Sequence, residues 1–81
     1  MSDEIAAVPR LDLRGLNPPE PMRLALEAVE LLRPGATLEV VTDREPLLLH
    51  RELQQRKHSF ASDMRSDGCH TTVHRRAESQ P

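Results

Sequence analysis

The sequence predicts an α+β two-layer sandwich, ordered β-α-β-α-β-β, in which a four-stranded mixed sheet carries two helices on one face. Three observations predict it. Strand-like stretches lie at 11–13, 37–42, 58–64 and 69–75, and two helical-period segments separate the first three of them. Right-handed crossovers, with the strands progressing in one direction, put both helices on the same side. The 81 residues leave room for one small domain, read as 10–76, with disordered tails at 1–9 and 77–81.

Leu11 and Leu13 alternate with Asp12 and lead into Arg14-Gly15, which suits a short strand ending at a turn. Asn17-Pro18-Pro19-Glu20-Pro21 opens the first helix, because prolines in a first turn lose only amide hydrogens that lack intrahelical acceptors. Met22, Ala25, Leu26, Val29 and Leu32 recur on one helical face, and Arg33-Pro34-Gly35 ends the helix. Thr37 to Thr42 is β-branched, with Leu38 and Val40 on one side and Glu39 and Val41 on the other. Asp43 is placed to cap a second helix whose third position is Pro46; Leu49 and Leu53 form its inward edge, and it fades near Lys57. His58 to Met64 and Cys69 to Arg75, joined by Arg65-Ser66-Asp67-Gly68, read as a hairpin in which Asp-Gly supplies positive φ. The face of the sheet away from the helices is left open, and an open face needs polar residues, a dimer partner or a ligand.

Composition narrows the function classes. Eleven basic against 13 acidic residues give a net charge of -2, which argues against a protein that coats phosphate backbones. RNA binding on the open face is disfavoured further because Phe60 is the only aromatic among Phe, Trp and Tyr. No stretch approaches the roughly 18 apolar residues of a membrane span. The start, Met1-Ser2-Asp3-Glu4, is acidic where a signal peptide is basic, so the expected location is cytoplasmic. One cysteine, Cys69, makes neither an internal disulfide nor a thiolate-rich zinc site. A domain this small buries only roughly 60% of the surface its unfolded chain exposes, which makes a homodimer a reasonable supplement.

The run Leu11-Asp12-Leu13-Arg14-Gly15-Leu16-Asn17-Pro18-Pro19-Glu20-Pro21 resembles the opening of the TusA/SirA-like domains. Those domains are small β-α-β-α-β-β sulfur carriers that begin with an aspartate, a Gly-Leu pair and Cys-Pro-x-Pro at the head of the first helix. Residues 33–40 and 43–46 are similar to that group too, more closely to a bacterial branch of unknown function that lacks the cysteine. The resemblance spans nearly all of 11–76. It implies the sandwich fold, and it implies that sulfur is not carried at the helix head, because Pro18 stands where the carriers hold their thiol. Three prolines also remove amide donors there, leaving a poor cradle for an anion.

What remains is a rigid knuckle of Pro18, Pro19 and Pro21 flanked by Asp12, Arg14, Asn17 and Glu20. It is either a docking surface or a helix start that only fixes the strand-to-helix angle. Leu47 and Leu48 form a second candidate, since a helix packing through Leu49 and Leu53 cannot bury three consecutive leucines against one sheet. They form a contact patch unless the preceding loop wraps them. Cys69 follows the hairpin turn, is expected to be accessible, and is the alternative sulfur carrier. Cys69, His70 and His74 make a poor metal site: neighbours point to opposite faces, and His70 and His74 stand about 13 Å apart along a strand. The histidines read as surface strand residues, Met22 as packing, and the polar run Arg51-Glu52 with Gln54 to Lys57 as a solvated helix face. The inward set of the last strand has two readings: alternation favours Cys69, Thr71 and Val73, and ungapped comparison with the related domains favours His70, Thr72 and His74.

The functional expectation is a non-catalytic interaction or regulatory module that binds another protein and uses no cofactor or metal. Its partner surfaces are the proline knuckle, the Leu47/Leu48 patch and the open sheet face.

Overall fold

A computed structural model describes residues 8–77, so the expected tails at 1–9 and 77–81 fall mainly outside the described residues. The elements are β1 (Arg10–Asp12), α1 (Glu20–Leu31), β2 (Thr37–Thr42), α2 (Leu47–Gln55), β3 (Ser59–Arg65) and β4 (Gly68–His74). The sheet order is β1-β2-β4-β3. β1 runs parallel to β2, and β4 is antiparallel to both of its neighbours. β3 is therefore parallel to β2 with β4 inserted between them, so α1 and α2 each close a crossover and lie on one face.

The helix starts differ from the sequence expectation in position. α1 begins at Glu20, with Pro19 at its N-cap and only Pro21 inside the first turn. A residue that precedes proline is pushed toward extended backbone, which keeps Asn17 and Pro18 out of the helix. The first amides are taken instead by carbonyls of the knuckle, Glu20 N–H to Asn17 at 3.0 Å and Arg23 N–H to Pro19 at 3.0 Å. Asp43 does not cap α2. Pro46 is the N-cap residue, and Asp43 lies too far upstream to reach the helix amides. Its Oδ2 accepts the Gly15 N–H at 2.7 Å, tying the loop after β2 to the loop after β1.

β3 and β4 pair around a two-residue turn, Ser66-Asp67, and this register decides the open question of facing. Cys69, Thr71 and Val73 pair with Thr42, Val40 and Leu38 on the helix side. The alternation reading holds, and the ungapped reading that put His70, Thr72 and His74 inward is overturned. The core unites Leu13, Ala25, Val29, Leu38, Val40, Leu49, Leu53 and Val73. With so little aromatic mass available, His50 supplies a planar filler: its ring stacks on Phe60 with centroids 4.6 Å apart. Among the described residues, no helix is long and apolar enough to cross a membrane.

Candidate functional site

The loops that follow the parallel strands β1 and β2 leave a groove at the carboxyl ends of those strands, the position where open α/β sheets commonly receive ligands. It encloses about 610 Å³. One wall is the knuckle, contributed by Leu16, Asn17, Pro18, Pro19 and Pro21; the other is Arg44, Glu45, Pro46 and Leu48. Leu13, Met22 and Leu49 close its base from the core side. Both walls are braced. The Gly15–Asp43 bond links them, and the Thr42 hydroxyl donates to the Arg44 carbonyl at 2.6 Å. Fixed-φ prolines on both sides make the concavity stiff. Leu16 and Leu48 stay 41% and 64% exposed at its edges, so apolar surface faces solvent where a partner surface would gain most by covering it.

The remaining sequence-predicted partner residues lie elsewhere. Leu47 is exposed beside the groove but does not line it. Glu20 is engaged with Arg23 at 2.6 Å. Asp12 and Arg14 belong to the open face of the sheet, where they form a bidentate pair, Nε to Oδ1 at 2.8 Å and Nη2 to Oδ2 at 2.7 Å. That pair and the Arg14 amide hold the Asp12 carboxyl far below the usual carboxylate range. Arg14 Nη1 continues to the Asp67 carbonyl at 3.2 Å, so this arginine crosses from the loop after β1 to the hairpin turn.

On the same face His70 sits between two carboxylates, with Nδ1 2.8 Å from Glu39 Oε2 and Nε2 2.9 Å from Asp67 Oδ1. Two carboxylate acceptors are best matched by two N–H donors, so the site favours the charged imidazolium form of the ring. The hydrogen bonds to Glu39 and then Asp67 raise the His70 pKa, while His70 lowers both of theirs. The open face thus carries an internal charge network from Arg10 through Glu39, His70 and Asp67 to Arg14. Val41, flanked in register by Asp12 and His70, is buried beneath it.

Residues 10–76 match the family described as an uncharacterized conserved protein, DUF2249. The chain belongs to the DUF2249 family. No curated protein matches it significantly. Among solved structures, the DUF2249 chain is similar to the crystal structure of a SirA-like protein from Desulfitobacterium hafniense. The two are 19% identical over 85% of this chain and 97% of the other, with a TM-score of 0.67, which shows a SirA-like fold.

In this DUF2249 domain the residue at the knuckle tip is Pro18, without a thiol, hydroxyl or amide hydrogen. Cys69 does not have the accessibility expected of it. It is fully buried on the helix side of β4, and its sulfur lies 3.9 Å from the Thr71 hydroxyl. Thr71 in turn approaches His50 Nε2 at 3.4 Å, a buried cysteine–threonine–histidine line. The expectation that the histidines are surface strand residues fails for His58 and His70, which are buried, and holds for His74; His50, on α2, is buried as well. Among the described residues, no three or more His, Cys, Asp and Glu side chains form a group able to hold a metal ion. Leu16, Arg44, Glu45 and Pro46 were absent from the sequence-predicted set; the signal that finds them is that they close the loops after two parallel strands.

Proposed function

We propose that this DUF2249 domain is a non-catalytic interaction module that docks an apolar segment of a partner protein in the groove between the proline knuckle and the start of α2. The observation that carries this reading is the convergence of two separate sequence candidates, the knuckle residues Asn17, Pro18, Pro19 and Pro21 and the patch residue Leu48, on one stiff concavity of about 610 Å³. The walls offer prolines and leucines, and the position at the head of the knuckle is an imino acid, so the chemistry favours contact over group transfer. Preformed walls lose little conformational freedom when a partner arrives, which favours binding.

The test is site-specific photocrosslinking in cells, with the photoreactive residue at position 48 and, as a control, at the exposed position 31. One defined adduct at 48, lost when Leu16 is changed to Glu and absent at 31, is the result expected. An adduct between two copies of this chain would make the docking surface a homodimer interface. Equal, diffuse labelling at both positions would remove the groove as a site. Sulfane sulfur found on Cys69 after incubation with a cysteine desulfurase would replace the reading with a carrier role.

A further inference from the structure

A second concavity lies at the opposite end of the sandwich, where both helices finish. It encloses about 320 Å³ and sets Arg56, Lys57, Arg75 and Arg76 against one carboxylate, Glu30, with His58 in its wall. Four cations facing one acid is a local excess in a chain whose net charge is -2.

Two of those cations hold the fold. Arg75 Nη1 donates to the carbonyls of Leu32 at 2.6 Å and Glu30 at 2.7 Å, covering the negative end of α1. Arg56 pairs with Glu30 at 3.0 Å and Glu52 at 3.5 Å. Lys57 and Arg76 have no acidic partner among the described residues. The negative end of α2 is closed as well. Lys57 N–H bonds the Gln54 carbonyl and His58 N–H bonds the Leu53 carbonyl, each at 3.0 Å, the double bond of a Schellman ending.

Two further features point to a ligand. His58 is 8% exposed, and its Nδ1 accepts the Arg76 amide hydrogen at 2.9 Å. The ring proton is therefore on Nε2, which finds no acceptor among the described residues, and a buried donor without an acceptor is costly. Lys57 occupies the left-handed position of the Schellman ending at φ 68, where glycine is the unstrained choice. A strained backbone that keeps a lysine places an unpaired ammonium at the cleft, and strain of this kind gathers at functional positions.

We propose that this cleft binds a compact polyanion of the phosphate class. Lys57 and Arg76 supply the uncommitted charge, and His58 Nε2–H donates to a phosphoryl oxygen. Ligand pockets span about 300–1,000 Å³, so the volume suits one or two phosphoryl groups rather than a long strand. The site is independent of the groove, and failure of either leaves the other standing.

The experiment titrates the full chain with inorganic phosphate and with pyrophosphate at constant ionic strength, followed by calorimetry and by the His58 imidazole resonances. Saturable binding, tighter for pyrophosphate and centred on His58, Lys57 and Arg76, is expected. Lys57→Gly should weaken it roughly tenfold, the scale of one charged hydrogen bond, while the melting temperature holds or rises. That combination separates lost recognition from lost folding, and Arg76→Gln should weaken binding too. Linear shifts without saturation, shifts centred on Arg14 and Arg65, or unchanged affinity in both variants would overturn the proposal. So would tighter binding of an oligoribonucleotide than of pyrophosphate at equal phosphate concentration.

Discussion

Gly68 opens β4 at φ 137, and a Cβ built there would stand 2.5 Å from the Thr42 carbonyl oxygen. That oxygen belongs to a strand paired across the sheet, so it cannot step aside cheaply. Gly68→Ala should therefore cost about 1–3 kcal/mol, combining backbone strain with a steric clash. In a domain of this length the midpoint of thermal unfolding should fall by roughly 4–8 °C per kcal/mol. A variant that melts with the parent would show that the hairpin turn tolerates a side chain. The opposite sign belongs to Lys57, held at φ 68 by the end of α2. Lys57→Gly relieves a left-handed penalty and returns part of it as unfolded-state entropy, for a net gain of about 1 kcal/mol readable by urea denaturation.

α2 gives three identical side chains three fates. Leu47 and Leu48 are 66% and 64% exposed, whereas Leu49 is 1% exposed in the core. Leu49→Ala should cost about 2–5 kcal/mol by opening a cavity under the sheet. Leu48→Ala should stay within about 0.5 kcal/mol of the parent, yet lower crosslinking at the groove. Equal losses from the two would mean that Leu48 packs in the fold rather than lining a docking site. The inward edge of this helix was legible because Leu49 and Leu53 repeat at helical spacing. Its start was not, because Asp43 carried a capping signal while the residues around Pro46 fixed the geometry. The proline knuckle and the leucine patch were each visible in sequence, and their meeting was not, since it depends on loops folding back from two parallel strands. The histidines fail for the same reason: Glu39 and His70 are 31 positions apart, and only β-pairing brings them to 2.8 Å.

At the scale of the molecule, three buried histidines impose opposing pH slopes. His50 and His58 are held below the ordinary histidine value of 6.5, chiefly by desolvation, so the folded state favours the neutral form of each. Unfolding releases them to take up protons, and their contribution is lost as pH falls below about 6.5. His70 is displaced the other way, its charged form favoured by Glu39 and Asp67. Its contribution is complete below about 6.5 and fades as pH rises through the raised folded value. Glu39 and Asp67, both lowered by His70, add stability above their ordinary range that disappears only as pH falls through their depressed values. Stability should therefore peak near the ordinary histidine pKa and decline on both sides, with the alkaline arm assigned to a single residue. Urea midpoints of the parent and His70→Gln, measured from pH 5 to 9, should differ most at the acidic end and converge as pH rises. Midpoints that stay parallel across the range would mean that the His70 ring carries no charge in the folded state, and the network on the open sheet face would then run through a neutral imidazole.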